Sequence, residues 1–411
     1  MALINVGASN AGDGLGVAIQ WSVVGGNGSG ATITTGAMTT PLADLRVVDL
    51  STVLAGPNCA RYLADFGADV IKVERPDGGD SLRGMAWRDP RDGTGLWWKY
   101  VNRNKRTIAL DLKDDDDRDV VLRLIDDANV LVENFRPGTL ERLGLGPDIL
   151  LARNTSLVIV RVSGFGQTGP YAQRPGFASI AESMSGLAAV TGEPDGPPML
   201  PPIALTDEVT GLAGAFAALV ALRSGVGQVV DVNLLQTVLQ MLGPTPSLYR
   251  LSGELQPRMG SALPYSVPRG VFQCRDGLWL GVSASSETVA RRVVAMLGFG
   301  DDANMQSFAG RIENRAEIDE RMREWCAVRT RDEALHELER ADAAAGPVND
   351  MADVNADPHV RARNLITDVG TTPMQGLIAS LSVTPGRLDW EGRPLDADHD
   401  EIVARGWLGS R

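Results

Sequence analysis

The segment from residue 45 to 76 alternates between two local patterns, and this alternation constrains the fold more than any other feature. LRVVDLS is a short apolar run typical of a buried strand, and DVIKVERP is a second one. Between them, LAGPNCARYLADFGA has the pattern of a helix entered through a Gly-Pro turn. Strand, helix and strand in this order form a βαβ unit, so the sequence predicts an α/β fold with a parallel sheet.

The same alternation continues to about residue 240. Strands are predicted in RTIALDLK, NVLVENF, SLVIVRVSGFG and GQVVDVN, and a long helix of small residues is predicted in LTDEVTGLAGAFAALVALRS, beginning near Asp207. Four acids, Asp114 to Asp117, stand where a helix should begin. Negative charge in a first turn is favourable to the helix dipole, so we interpret them as a helix start and not as a metal site. These elements predict a Rossmann-like large domain.

A chain of 411 residues favours two domains. Beyond a segment rich in Pro, Gly and Ser, VFQCRDGLWLGVSA predicts a hairpin, with helices near 285–297 and 315–342. The predicted division is a disordered or misassigned extension at 1–40, a large domain at 41–238, a linker at 239–264, a small α+β domain at 265–350, and a return to the large domain at 351–411.

The first 37 residues differ from the rest because Asp13 is their only charge. A secretory signal needs a positive leading region and a mitochondrial presequence needs arginines, so neither is indicated. Gly12, Gly14 and Gly16 imitate part of a dinucleotide-binding loop, but no clear strand precedes them. We therefore interpret this segment as an extension and not as a binding site.

Composition excludes several classes of partner. A net charge of -13 argues against nucleic acid and against a polybasic membrane anchor. No run is expected to reach the roughly 18 apolar residues of a membrane span, which predicts a soluble protein. Cys59, Cys274 and Cys326 are too far apart in sequence for a disulfide framework or a zinc motif, so a reducing cytoplasm and no metal are expected.

Three segments carry candidate functional residues, each with two interpretations, and the first two of them follow predicted strands. The turn from Val53 to Pro57, with Arg75 after the next strand, is an anion pocket or an ordinary βα turn. Asn134 and its neighbours bind a nucleotide or cap a helix. Asp207 is an N-cap, a catalytic carboxylate, or both.

Taken together, these segments resemble the family III CoA-transferases, which include formyl-CoA transferase, the carnitine CoA-transferases and the related α-methylacyl-CoA racemases. The resemblance covers residues from about 45 to 365 and rests on VVDLSTVLAGPNCARYLADFGADVIKVERPDGGD, NRNKRTIALDLK, LVENFRPGTLERLGLG, SGFGQTGPYAQRPGF, the TDEVTG turn, GQVVDVNLLQ and DPHVRAR.

The resemblance implies that Asp207 is the nucleophile, which forms an anhydride with the donor acyl group and then an aspartyl-CoA thioester. It implies that coenzyme A is a substrate and not a bound cofactor, that the acyl-CoA donor is of the succinyl-CoA kind, that the acceptor is a carboxylic acid, and that the protein is an interlocked homodimer. The positions that it assigns to CoA are Val53, Leu54, Ala55, Arg75, Leu110, Leu112, Lys113, Asn134, Phe135 and Arg142. Backbone N–H groups after Asp207 are the expected oxyanion donors.

Departures from the family pattern separate the possible activities. The racemases carry a Gly-His-Asp triplet where this chain has Gly176-Phe177-Ala178, and the three histidines all lie far downstream. A two-base racemase would lack one base, so CoA transfer is the predicted reaction. An acyl-CoA racemase or epimerase and a CoA-binding protein without turnover are the alternatives. Glu182, about one helical turn after Ala178, has two interpretations: it replaces the lost acidic group, or it is a solvated or capping glutamate.

Overall fold

Six parallel strands form the central sheet of the computed structural model, which describes residues 5–6, 19–20 and 40–408. In chain order they are β1 Arg46–Asp49, β2 Asp69–Glu74, β3 Lys105–Ala109, β4 Val130–Glu133, β5 Val158–Ser163 and β6 Gln228–Asn233. Their order across the sheet is β3-β2-β1-β4-β5-β6. This is the Rossmann order, so the predicted fold class is confirmed and the ligand crevice should lie outside the carboxyl ends of β1 and β4.

Helices cover both faces of the sheet, which explains why its strands are apolar on both sides. The helices of this part are α1 Ala55–Asp65, α2 Leu96–Val101, α3 Asp115–Asp126, α4 Thr139–Arg142, α5 Pro147–Arg153, α6 Ala178–Ser185, α7 Leu187–Val190, α8 Leu205–Ser224 and α9 Leu234–Met241. α1 and α8 bury one face with the valines of β5, and α3 and α5 bury the other.

The acidic run before α3 is a helix start, as predicted. The Asp114 side chain accepts the backbone N–H groups of Asp116 at 3.0 Å and Asp117 at 3.2 Å. Asp115, Asp116 and Asp117 then occupy the first turn, where negative charge stabilises the helix. The predictions for residues 1–37, including the glycine pattern at 12, 14 and 16, concern positions that lie almost entirely outside the described residues.

The helix α8 corrects the expectation that no apolar run is long enough to span a membrane. By length and composition alone, Leu205–Ser224 is long and apolar enough. The run was missed because alanine and glycine separate its larger apolar residues. Only 39 % of it is buried, because one side packs on α1 while the other is open.

The small domain contains the predicted hairpin, formed by the antiparallel strands β7 Arg269–Gln273 and β8 Trp279–Ser283. The predicted linker before it contains the helix α10 Thr245–Ser252. The helices of the small domain are α11 Glu287–Val294, α12 Phe308–Glu313, α13 Arg315–Ala327 and α14 Arg331–Arg340, and the strand β9 Ala345–Pro347 pairs with β8. The helix predicted at 315–342 is two helices, because Thr330 and Glu333 form a capping box that starts α14.

The C-terminal segment returns to the large domain and covers its edge strand β3. Its elements are α15 Met351–Ala356, α16 Pro358–Ala362, the hairpin β10 Ile366–Val369 with β11 Thr372–Gln375, and α17 His399–Arg405. Asp398 accepts the Thr107 N–H at 2.8 Å, and Asp396 accepts the Ala109 N–H at 2.7 Å. Side chains of the tail thus satisfy donors that an open sheet edge would expose.

Candidate active site

Asp207 lies in the first turn of α8, but it does not cap the helix. The helix begins at Leu205 after the N-cap Ala204, and the Glu208 N–H already donates to the Ala204 carbonyl at 3.1 Å. The prediction of an Asp207 N-cap is therefore wrong by one turn. The N–H groups without an intrahelical acceptor lie at or before Asp207, and not after it as expected for the oxyanion donors.

Close contact between α1 and α8 fixes where Asp207 lies. A Cβ atom on Gly211 would come within 2.6 Å of the Asn58 Cβ and 3.0 Å of the Ala55 carbonyl oxygen. Only glycine permits this approach of the two backbones without displacement. Asp207, one turn before Gly211, is thereby held near the beginning of α1, where Leu54 packs in one cluster with Ala204.

The turn before α1 has an unusual backbone conformation. Val53 has a φ of 65°, a left-handed conformation that a β-branched residue rarely adopts. Its N–H donates to the two carboxylate oxygens of Asp80 at 3.2 and 3.3 Å. Gly56 lets the helix begin directly over the strand end, since a Cβ there would lie 2.4 Å from the Ser51 Cβ. These contacts determine the shape of the turn that contains Val53, Leu54 and Ala55.

Four buried charges lie beneath this turn. Lys72 is 3.5 Å from Asp80 and 3.8 Å from Asp49, and Lys105 is 2.9 Å from Asp49. Burial tends to raise the pKa of Asp49, but the charges of Lys105 and Lys72 outweigh it and hold that pKa below its ordinary value. Burial lowers the pKa of Lys105 to about 8. Because each buried charge has a partner of opposite sign, the network supports the turn and its Asp80 contact.

A cavity of about 310 Å³ opens at the carboxyl ends of β1 to β4. Five of the ten positions assigned to CoA line it, namely Arg75, Leu110, Leu112, Lys113 and Phe135. They follow three different strands, which the Rossmann order brings to one edge of the sheet. The cavity therefore combines an apolar lining with two exposed cations, Arg75 and Lys113, beside the buried Lys72, as a nucleotide would require.

The other five assigned positions lie outside this cavity. Val53, Leu54 and Ala55 form the turn described above. Asn134 joins two strand ends, because its amide accepts the Thr52 N–H at 2.8 Å and donates to the Thr52 carbonyl at 2.6 Å. Arg142 is exposed on α4 and donates to the Thr139 hydroxyl at 2.8 Å. Asn134 thus shapes the crevice through the backbone of the β1 turn.

Three cations near the crevice form no ion pair in the part of the chain that the structure describes. Within residues 40–408, Arg75, Lys113 and Arg142 take part in no ion pair. Arg75 only donates through Nε to the Gly79 carbonyl at 2.9 Å. All three are exposed, so their charge is available to an anion even though the whole protein is acidic.

The Asp207 carboxylate has a raised pKa. Burial chiefly, and then the negative charges of Glu182 and Glu208, raise that pKa to about 6. Glu208 is itself balanced, since its Oε2 lies 3.2 Å from both the Arg61 Nη2 and the Tyr62 hydroxyl. Asp207 accepts no hydrogen bond from side chains in the described part of the chain. A carboxylate without donors or a nearby cation keeps its nucleophilic lone pairs available.

Of the two interpretations of Glu182, the solvated or capping one is wrong. It is buried in α6, and its Oε1 accepts a hydrogen bond from the Thr206 hydroxyl at 2.7 Å. Ala178, at the position of the racemase aspartate, begins the same helix and supplies no acid. In the described residues, no group of three or more His, Cys, Asp or Glu side chains is arranged to hold a metal ion.

Sequence reasoning missed the cluster around Arg61. This side chain is buried in α1, between the rings of Tyr62 at 4.2 Å and Tyr100 at 4.6 Å. An arginine inside an apolar helix pattern is the signal that such a residue is buried with a partner. The partner Glu208 lies 147 positions away, so the sequence did not identify it.

The chain is similar to known proteins along most of its length. The family model for CoA-transferase family III matches residues 42–399. The succinyl-CoA–D-citramalate CoA-transferase of Chloroflexus aurantiacus is 40 % identical over 374 residues, which cover 88 % of this chain and 93 % of that protein. The succinate–glutarate CoA-transferase of Agrobacterium fabrum is 37 % identical over 343 residues, 80 % of this chain and 85 % of its own length.

Among solved structures, a CAIB/BAIF family protein from Brucella suis superposes with a TM-score of 0.79 at 34 % identity, covering 89 % of this chain and 99 % of that one. Rv3272 from Mycobacterium tuberculosis superposes with a TM-score of 0.78 at 27 % identity, covering 88 % and 99 %.

Proposed function

Since the chain belongs to CoA-transferase family III, we propose that it moves CoA from succinyl-CoA to an organic carboxylic acid, with Asp207 as the nucleophile. Similar proteins are named as succinyl-CoA-dependent CoA-transferases acting on citramalate, malate and mesaconate. The single observation that carries the assignment is the Asp207 carboxylate, which stands at the crevice end of α8 with a pKa raised to about 6 and no ion pair in the described chain. Because the family model and the named relatives are CoA-transferases, the chain is a transferase enzyme.

The proposed reaction needs no external base. An Asp207 oxygen attacks the thioester carbonyl, the C–S bond breaks, and CoA leaves as the thiolate. The thiolate attacks the Asp207 carbonyl carbon of the resulting anhydride, which releases the donor acid and leaves an aspartyl-CoA thioester. The acceptor carboxylate then reverses both steps. Each intermediate is about as energy-rich as a thioester, so one difficult exchange is divided into balanced steps.

The free N–H groups near the two helix starts support this chemistry. The N–H groups of Thr206 and Asp207, and those of Ala55 and Gly56 in the first turn of α1, lack intrahelical acceptors, whereas the Leu205 N–H already donates to the Ile203 carbonyl at 2.8 Å. Such groups stabilise the negative oxygen that develops on a carbonyl under attack. We therefore place the reacting thioester between the beginnings of α1 and α8.

The crevice supports a matching arrangement of CoA. The adenine ring would pack among Leu110, Leu112 and Phe135, and the phosphates would lie near Arg75, Lys113 and Arg142. The pantetheine arm would then pass the turn of Val53 to Ala55 on its way to Asp207. Leu54 stands where formyl-CoA transferase has glutamine, so this arm would have one polar contact fewer.

Transfer is tested by incubating the protein with succinyl-CoA and a panel of dicarboxylic and hydroxy acids, followed by mass spectrometry of the thioesters. We expect a new acid-dependent thioester, and its loss in Asp207→Asn, which keeps the size of the side chain. Exchange of the α-proton in deuterated water without acyl exchange would instead indicate a racemase. CoA binding without either reaction would indicate a binding protein.

We also propose a homodimer in which a second copy covers the open side of α8. Phe216 is 69 % exposed and Val220 55 %, and both lie on the side of α8 that faces away from α1. An apolar face of this kind on a helix of a soluble protein is typical of an interface. Sedimentation of the full chain should give a dimer, and Phe216→Glu should shift it toward monomer.

We also propose that the protein is located in the cytoplasm. The thiols of Cys59, Cys274 and Cys326 are all free and buried, as expected for a protein kept in reducing surroundings. Cell fractionation with a tagged full-length chain tests it.

A further inference from the structure

Glu182 is fixed directly beside the residue that precedes Asp207. The Thr206 hydroxyl donates to Glu182 Oε1 at 2.7 Å, and the two side chains are only 2 % and 3 % exposed. Both belong to the packed contact between α6 and α8. A buried carboxylate held by one short bond has little freedom to turn away, so its charge stays near Asp207.

The charges around Asp207 show why Glu182 differs from its neighbours. Glu208, on α8 itself, is neutralised by Arg61 of α1 and also accepts a hydrogen bond from the Tyr62 hydroxyl. Glu182, on α6, accepts a hydrogen bond from the uncharged Thr206 hydroxyl, and within residues 40–408 it takes part in no ion pair. Of the two glutamates near Asp207, Glu182 is therefore the one whose negative charge is not neutralised by a cation in the described residues.

An unbalanced negative charge acts differently on the two states of the nucleophile. As a free carboxylate, Asp207 is negative and is repelled by Glu182; as an aspartyl-CoA thioester, it is neutral and is not. We propose that Glu182 is a positioning residue of the transfer reaction, whose fixed charge favours the neutral aspartyl-CoA thioester over the free Asp207 carboxylate. This proposal rests on the proposed function of Asp207 as nucleophile.

The equilibrium that Glu182 shifts is balanced in atoms and charge. The Asp207 carboxylate and succinyl-CoA are converted to the aspartyl-CoA thioester and free succinate. One C–S bond breaks in the donor and one C–S bond forms at the Asp207 carbonyl carbon. The negative charge moves from the buried site to succinate in water, and Glu182 makes this transfer more favourable.

Glu182→Gln tests the charge while keeping the contact, because the amide oxygen can still accept the Thr206 hydroxyl. The full-length enzyme is equilibrated with fixed succinyl-CoA and succinate, and the fraction carrying covalent CoA is measured by intact mass. We expect the equilibrium constant for the thioester to fall about three- to tenfold in Glu182→Gln. The acid limb of the pH profile of thioester formation should move to lower pH. Glu401→Gln, which removes an exposed charge on α17, should change neither.

A second matched pair keeps the test decisive if the glutamine variant does not fold. Glu182→Asp retains a charge and Glu182→Asn removes it at the same size, so the thioester fraction should be higher in the aspartate variant. The proposal would be overturned if the two members of each pair, carboxylate and amide, had equal thioester fractions and equal acid limbs of the pH profile. An amide side chain can still make the structural contact, so only the loss of charge should produce a difference. If the wild-type protein itself forms no covalent CoA, the proposed function is wrong, and the inference about Glu182 is wrong with it.

Discussion

The Arg61 guanidinium lies 3.2 Å from the Glu208 carboxylate and joins α1 to the first turn of α8. The same guanidinium is 3.2 Å from Asp65 and is enclosed by the rings of Tyr62 and Tyr100. It thus neutralises the residue next to Asp207 from the neighbouring helix. This relationship explains why the charge of Glu208 raises the pKa of Asp207 less than the charge of Glu182 does.

Arg61→Ala should destabilise the protein strongly. Removal of the guanidinium leaves the fully buried Asp65 with Arg103 alone and leaves Glu208 without a cation. We expect a loss of about 3 kcal/mol or more in the free energy of unfolding, measured by denaturant titration. Arg323→Ala, which breaks an exposed pair with Glu320, is the control and should cost less than about 1 kcal/mol. Equal losses in the two variants would contradict the role given to Arg61.

Asp207→Asn should stabilise the folded protein at neutral pH while it abolishes transfer. The pKa of Asp207 rises from 3.8 to about 6 on folding, so the folded state binds this proton more tightly than the unfolded chain. The carboxylate therefore costs stability above pH 6, and the cost disappears as the pH falls from about 6 to 3.8. We expect the variant to gain about 1–2 kcal/mol at neutral pH and nothing at acidic pH below that range. Thermal unfolding of both proteins across this pH range checks the sign; a variant that is less stable at neutral pH would refute it.

Gly211→Ala should separate α8 from α1. The added methyl group would meet the Asn58 Cβ at 2.6 Å, which is closer than two carbon atoms can lie. We expect a loss of about 1–3 kcal/mol in stability, together with a lower kcat, because Asp207 moves with its helix. Gly346→Ala in β9 is the matched control, since nothing lies within 4 Å of its added Cβ. An unchanged kcat in Gly211→Ala would show that this contact does not position Asp207.

Arg75→Ala and Lys113→Ala should weaken the binding of CoA without slowing the chemistry. Both cations line the crevice and neither has an acidic partner within residues 40–408. Loss of one charged contact to a phosphate is worth about tenfold in KM for the acyl-CoA, with kcat unchanged. Steady-state kinetics measures both constants, with Arg340→Ala in the small domain as control. If kcat falls and KM is unchanged, these side chains do not hold the nucleotide.

The local patterns of the sequence were sufficient to predict the sheet and most of its helices. The apolar runs around Val48 and Ile159 are buried on both faces, and such runs are recognisable without knowledge of the rest of the chain. The acidic start of α3 was predictable for the same reason, since Asp114 caps its own helix. Strand ends then indicated Arg75 and Phe135, because a parallel sheet brings them to one edge.

The environment of Asp207 was less predictable, because it depends on how helices cross. Glu182 resembles a solvated residue in sequence, and only the packing of α6 on α8 buries it beside Thr206. The start of α8 was misplaced because Ala204, which has no capping side chain, gives no signal as an N-cap. The apolar α8 was also overlooked as a continuous run, because glycines interrupt it; Gly211 and Gly214 are small so that α8 can contact α1 at Asn58 and Cys59, residues far away in the sequence.

The most direct test of the account is to trap CoA on Asp207. The enzyme is incubated with succinyl-CoA in the absence of an acceptor acid and treated with borohydride, which reduces an aspartyl thioester to homoserine and releases the CoA thiol. Peptide mass spectrometry then locates the reduced residue. We expect homoserine at position 207 in the wild-type protein, dependent on succinyl-CoA, and none in Asp207→Asn. Reduction at a different residue, or transfer that proceeds with residue 207 unmodified and survives in Asp207→Asn, would contradict it.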